Sequence, residues 1–273
     1  MKLSYPVTTP DCTIPMMAFG GDFERNLEYI KSCGYEGVEL LIRDLDQLEP
    51  EKIVKRVKDA GLEVAAVATS PSPSQDKVFM AGTDKKIHDE AMKRGKDLIA
   101  FGGSLHVPMV IGRFRGNVPE EDKENARKKL EEDLLAIGEY GEKYGGKIAL
   151  EIQNRTNVNT FNTVPEGVEW IEKNKITSIG LLLDTFHMEL TETSIPASFI
   201  KAKAHIDFIH LSDSFRLVPG TGHISFKDVL SVLDEIGYQG FLSMEIKQVP
   251  DSRTAAKLSW EYLDYVKKEF LKK

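Results

Sequence analysis

The stretch GLLLDTFHMEL, residues 180–190, decides how the chain is to be read. Three leucines in a row, Leu181 to Leu183, read as the middle of a strand buried on both faces. The run stops at Asp184, and Phe186, His187 and Glu189 follow at once. A surface loop can begin this way. So can a metal site at the mouth of a parallel barrel, and the rest of the chain decides between the two.

Working outward, the same kind of short apolar run recurs from end to end. The runs are LSYPV (3–7), GVELLI (37–42), EVAAVAT (63–69), VPMVIG (107–112), KIALEI (147–152), IGLLLD (179–184), DFIHLS (207–212) and FLSMEI (241–246). Between them lie longer amphipathic segments with recognisable ends. DFERNLEYIKSCG offers Asp22 as an N-cap and Gly34 as a stop, and EPEKIVKRVKDAG puts Pro50 in the first turn and Gly61 after the last. SFKDVLSVLDEIG places Ser225 at the N-cap and Asp228 at the capping-box position. The segments 119–146 and 251–273 complete the set. Strand–helix units repeated in this way predict an α/β chain folded as a single (β/α)8 TIM barrel spanning residues 1–273. A doubly wound open sheet would normally carry a Gly-rich fingerprint after its first strand, and TTPDCTIPMMAFGG has none. The irregular stretches 70–83 and 112–119 follow strands, so they are expected to be active-face loops.

Composition narrows the function classes. With 41% hydrophobic and 29% charged residues the chain is ordinary globular material. No apolar stretch approaches the roughly 18 residues of a membrane span, and the N-terminus lacks the apolar segment of a signal peptide, so a cytoplasmic location and no membrane partner are expected. Cys12 and Cys33 are too few for a disulfide framework and fit no zinc spacing. A net charge of −7 argues against a nucleic-acid partner, which would call for a basic surface.

In a barrel of this kind the chemistry sits at the C-terminal ends of the strands. Four consecutive runs end there in a potential ligand: Glu151 in KIALEIQNR, Asp184, His210 in DFIHLSD and Glu245 in FLSMEIK. Singly, each has an ordinary structural reading, as a solvated loop acid, a helix cap or a core histidine. Together they point to one cation, because acids clustered in a barrel mouth repel one another without it. Oxygen-rich ligation with a single nitrogen suits Mn²⁺ best, with Co²⁺ or Mg²⁺ as alternatives.

The segments LEIQNR, LLLDTFHMEL, HLSDSFRLVPGTGHISF and GFLSMEIK resemble the xylose-isomerase-like superfamily of sugar isomerases and epimerases, and within it the ketose 3-epimerases of the tagatose/psicose type. AFGGDFERNLEYIKSCGYEGVEL is similar to that family's first helix and second strand, so the likeness runs over essentially the whole chain. The resemblance implies a divalent ion on Glu151, Asp184, His210 and Glu245, and it assigns His187 and Arg216 to a small sugar substrate. It leaves a homodimer or homotetramer open. The mechanism it implies is epimerisation of a ketose at C3. The ion polarises the C2 carbonyl, one of Glu151 and Glu245 removes the C3 proton, and the other returns a proton to the opposite face of a metal-bound cis-enediolate. His187 and Arg216 stabilise that enediolate. The same site could instead serve a lyase or dehydratase acting by β-elimination on a keto-sugar or inosose. A more distant alternative is a nuclease of the apurinic-endonuclease kind, for which the acidic surface and the lack of further histidine ligands are unfavourable. One departure stands out: where these epimerases carry a further Glu after the NR pair, this chain has Asn157.

Several weaker signals remain. PGTGH (219–223) is either a phosphate loop or, more simply, a tight turn. Arg113 and Arg115 either meet an anionic group of the substrate or pair with surface acids. His106 and His223 are candidates for extra ligands, whereas His88 and His205 are expected on the surface.

Overall fold

Alternation along the sixth strand shows how the barrel is built. A computed structural model describes residues 1–271. In it Leu181 and Leu183 join the large apolar cluster, which also takes in side chains of the surrounding helices, while Leu182 falls in a smaller cluster with Leu41, Ala66, Ala68, Val110, Ala149 and Phe208. Successive strand side chains point to opposite faces, so these are the outer and inner layers of one closed sheet. The strands are β1 (Lys2–Thr8), β2 (Gly37–Leu41), β3 (Glu63–Ala68), β4 (Met109–Ile111), β5 (Ile148–Ile152), β6 (Ile179–Asp184), β7 (Ile206–His210) and β8 (Phe241–Ser243). They pair in sequence order, all parallel, and β8 closes on β1 through Leu3 opposite Leu242. The expected (β/α)8 barrel is therefore what the chain forms. Alanines fill its narrow interior, and the branched residues face outward to the helices.

The helices are α1 (Phe23–Cys33), α2 (Pro50–Asp59), α3 (Lys85–Ser104), α4 (Lys123–Glu142), α5 (Val164–Asn174), α6 (Thr185–Thr191), α7 (Ile195–Ala202), α8 (Phe226–Glu235) and α9 (Ser252–Phe270). Each shows a buried stripe at helical spacing, as with Phe23, Leu27 and Ile30 in α1 and Phe226, Val229, Leu230 and Leu233 in α8. The caps fall where the sequence puts them. The Asp22 carboxylate accepts from the Arg25 amide, the Ser225 hydroxyl accepts from the Asp228 amide, and Pro50 opens α2.

Three local features differ from the sequence reading. β4 and β8 are only three residues long, so Glu245 lies beyond the ladder of β8 rather than at its end. After Ser243 the backbone folds onto itself, the Glu245 amide reaching the Ser243 carbonyl and the Ile246 amide that of Met244, and pairing ceases. Next, β6 runs straight into α6, with Asp184 as both last strand residue and N-cap. Finally, the 70–83 stretch contains a wide helical turn at Ser72–Asp76.

Gly34 ends α1 with φ of 107°, and a Cβ there would run into the Trp260 indole of α9. A side chain is disfavoured by both conformation and space. Gly34→Ala should lower unfolding stability by more than about 1 kcal/mol. It should also shift Trp260 emission, and unchanged emission and denaturant midpoint would refute this packing.

Candidate active site

The inner-face parity that buries Leu182 also carries the four sequence-predicted ligands into the barrel mouth. Glu151 follows Ala149, Asp184 follows Leu182, His210 follows Phe208, and Glu245 continues the inward series Phe241, Ser243 past the end of β8. Asp184 and His210 are directly opposite in the β6–β7 register. One ligand atom from each of Glu151, Asp184, His210 and Glu245 lies within 4.8 Å of the others. That spacing is what a single small cation needs.

Two atoms in this cluster are buried and have no hydrogen-bond partner among the described residues: Glu151 Oε1 and His210 Nδ1. Buried polar atoms are ordinarily paired, so these two mark the place of a missing group. Their neighbours are already committed. Glu151 Oε2 accepts from Gln153 Nε2, Asp184 Oδ1 accepts from the Phe186 amide at 2.8 Å, and His210 Nε2 meets Glu39 Oε2 at 3.0 Å. Three carboxylates and one imidazole form a hard donor set, suited to a divalent cation that prefers oxygen. The residues present fit such an ion.

Glu39, on β2, was not singled out in the sequence. It is 1% exposed, it also accepts from Ser243 Oγ at 2.7 Å, and it holds the His210 ring so that Nδ1 faces the acids. The available signal was an acid in the middle of an otherwise apolar strand, GVELL. Burial alone would lower the His210 pKa, yet Glu39 and Glu245 raise it well above the ordinary imidazole value. A proton and a cation thus compete for Nδ1.

Arg216 supplies the resident positive charge. Its Nη1 donates to Asp184 Oδ2 at 3.0 Å and to Glu245 Oε2, and its guanidinium lies 4.7 Å from the Phe186 ring centroid. Burial by itself would raise the Glu245 pKa, but Arg216 and then His210 overcome it and hold this carboxyl well below the usual carboxylate range. Glu151 is likewise kept below its ordinary value: burial would raise it, but the nearby His187 and His210 together outweigh burial and the repulsion of Glu245. The backbone that delivers Arg216 is unusual, because Phe215 and Arg216 both adopt left-handed φ, 62° and 57°. Such conformations cost non-glycine residues on the order of 1–3 kcal/mol each, and they recur where a side chain must be aimed.

His187 sits in α6, fully buried. Its Nδ1 accepts from the Asn154 side-chain amide at 2.7 Å, and Asn154 Oδ1 is taken by Thr156. Nε2 lies 2.6 Å from Arg216 Nη2 and 3.5 Å from Glu151 Oε1, which sets the ring between the arginine and the acid. His187 and Arg216 therefore join the four candidate ligands in one cluster. The cavity above it, about 250 Å³, is lined by Pro15, Met16, Met17, Leu41, Ser70, Ser74, Arg113, Glu151, Gln153, Asn157, Arg216 and Glu245. Its walls come from loops 70–83 and 112–119 among others, as expected. Gly112 lets this wall close up, since a Cβ there would strike Glu151 Oε2.

The weaker signals resolve. His106 precedes β4 and lines a separate cleft with residues from the strand starts, so it cannot reach the cluster. His223 is exposed and meets only Ser214 Oγ. Neither belongs to the ligand group. In PGTGH the amides of Gly220 and Gly222 both donate to Asp213, so the loop is a turn braced by a carboxylate and not a phosphate cradle. Arg115 pairs with no acid; it is fully buried and donates to the Gly112 and Thr160 carbonyls, and burial lowers its pKa to about 10. His88 and His205 are not free surface residues: His88 binds Asp133 at 2.8 Å, tying α3 to α4, and His205 contacts Glu172.

Because Glu39 orients His210, Glu39→Gln should weaken Mn²⁺ binding by about tenfold or more without unfolding the barrel. Competitive metal titration would measure this, and an unchanged affinity would mean that the ring is held in place by other contacts.

The match to known proteins follows the same architecture. An L-ribulose 3-epimerase of Mesorhizobium japonicum is 28% identical over 228 residues, 82% of this chain and 75% of that protein. An inosose isomerase of Halalkalibacterium halodurans is 28% identical over 239 residues, 81% of this chain and 82% of that protein. A solved structure of an L-ribulose 3-epimerase superposes with a TM-score of 0.80 at 22% identity, covering 98% of this chain and 96% of the other. Residues 27–265 match the model of the xylose isomerase-like TIM barrel family, and the chain belongs to that family.

Proposed function

We propose that this protein is a divalent-metal-dependent sugar isomerase that epimerises a ketose at C3. The observation that carries the reading is the placement of two glutamates, the buried Glu151 and the partly buried Glu245, both in the ligand cluster and both on the cavity wall. They leave β5 and β8, three steps apart around an eight-strand ring, and so enter the cavity from different sides. Epimerisation needs that arrangement, because a proton is taken from one face of the carbon and returned to the other. Relatives named as an L-ribulose 3-epimerase and an inosose isomerase support an isomerase of polyhydroxylated ketones.

Glu151, Asp184, His210 and Glu245 would hold the ion, with Mn²⁺ favoured by the oxygen-rich set and Co²⁺ or Mg²⁺ as alternatives. When bound it supplies Lewis acidity toward the sugar's carbonyl oxygen. The remaining work falls to side chains. Glu151 and Glu245 form the acid–base pair: one carboxylate takes the C3 proton from one face, and the other, carrying a proton from solvent, returns it to the opposite face. His187, its Nδ1 held by Asn154 and its Nε2 against Arg216 Nη2, positions the guanidinium, and Arg216 offers a permanent positive charge where negative charge develops. Gln153 Oε1 is buried without a partner and can accept from a sugar hydroxyl.

The reading predicts that the Mn²⁺-loaded protein incorporates solvent deuterium at C3 of a ketose, and that chelator abolishes the exchange. Glu151→Gln and Glu245→Gln should each reduce exchange by about 10²–10⁴-fold. Loss of a leaving group from a 3-keto-glycoside or an inosose, with no exchange in any ketose, would replace the epimerase reading with β-elimination.

A further inference from the structure

We propose that the cavity carries an anion subsite, formed by Arg113 with the hydroxyls of Ser70 and Ser74, and that the substrate is a ketose bearing a terminal phosphate or carboxylate. This deepens the epimerase reading and rests on it for the sugar, though not for the anion.

The charged residues on the cavity wall are Glu151, Glu245, Arg216 and Arg113. Arg216 is neutralised by Asp184 and Glu245. Arg113 is exposed, and among the described residues its side chain makes no ion pair and no hydrogen bond. The nearby arginines contrast with it. Arg43 and Arg94 share Asp76, and Arg94 also holds Glu90, so the acid of the 72–76 turn is spent on them. Ser74 lies in that same turn and Ser70 just before it, and neither hydroxyl has a partner among the described residues. Loops following β3 and β4, neighbours in the ring, thus present two hydroxyls and one guanidinium to one side of the cavity. A guanidinium with hydroxyl donors is the chemistry that recognises phosphate or carboxylate.

Asn157 belongs to the same logic. It lines the cavity and brings an uncharged amide to the wall. A carboxylate there would partly cancel Arg113 and repel an anionic substrate, whereas an amide does neither. An uncharged ketose leaves Arg113 without a charged partner. An anionic one offers the missing partner.

Calorimetry on the Mn²⁺-loaded protein with fructose, fructose 6-phosphate and fructuronate, whose anions sit at the same carbon, tests the subsite directly. At least one charged ketose should bind tenfold or more tightly than fructose, and the two charged ligands tell phosphate from carboxylate. Arg113→Ala should cut the charged-to-uncharged affinity ratio by about ten- to hundredfold. Arg113→Lys should retain part of it, and Asn157→Glu should lower it. The change in this ratio from wild type to Arg113→Ala cancels any direct attraction of the anion to the metal, which the ratio itself still contains. Equal affinities for all three ligands, or a ratio unmoved by Arg113→Ala, would overturn the subsite. Deuterium exchange on the same samples separates the two readings. Arg113-dependent binding without C3 exchange retains the subsite and removes the epimerase; exchange with no charge preference does the reverse.

Discussion

The structure depends on keeping four carboxylates, Glu39, Glu151, Asp184 and Glu245, in the dry mouth of a barrel. Removing an ion from water carries a penalty of several kcal/mol even after relaxation, and like charges at this spacing add to it. Within the chain Arg216 and His210, whose pKa these acids raise, oppose this repulsion. Both are buried, and both are held to the acids by direct contacts. A divalent cation would take over the same task at higher charge density. The repulsion that costs the fold stability is therefore the feature that would favour a cation there.

Around this cluster the chain divides labour between rigid and irregular backbone. The strands fix depth and direction for Glu151, Asp184 and His210, whose positions are hydrogen-bonded into the sheet. Glu245 and Arg216 come from segments that have left the regular ladder, and Arg216 requires two successive left-handed residues. That strain is braced by its surroundings. The Lys247 amide donates to the Arg216 carbonyl at 2.7 Å, and Asp213 collects the amides of Ser214, Gly220, Gly222 and Ile224. Asp213 acts here as a folding device for the loop that delivers the arginine. Outer partners do similar work for the histidines, Glu39 for His210 and Asn154 for His187.

The two walls of the cavity differ in character. One holds the ligand cluster, where each charge has an internal partner. The other, from the loops after β3 and β4, carries Arg113 and two hydroxyls with no internal partner. A barrel separates these roles readily, because its strands set the reaction geometry while its loops vary independently. Substrate class can thus change in the loops without disturbing the metal-binding face.

Much of this was legible in the sequence because it follows local periodicity. Runs of Val, Ile and Leu broken by capped helices specify parallel strands and helices in alternation, and the barrel is the closed way to bury both faces. Glu151, Asp184 and His210 were visible as candidate ligands because strand ends are fixed by the same runs, and the period of two carries Asp184 inward once Leu181 and Leu183 face out. Glu245, by contrast, lies two residues past its ladder. What lay beyond the sequence is what depends on contacts between distant segments. Glu39 acquires its role from His210, 171 residues away, and Arg113 differs from Arg115 only in which side of a short turn each faces. The same holds for His106 and His223, whose residue type suggested ligation and whose position in the fold denies it. Periodicity determines which face a residue occupies, since that is a property of neighbouring dihedrals. Whether a charge there finds a partner was decided only when the barrel closed and brought the loops of separate strands together.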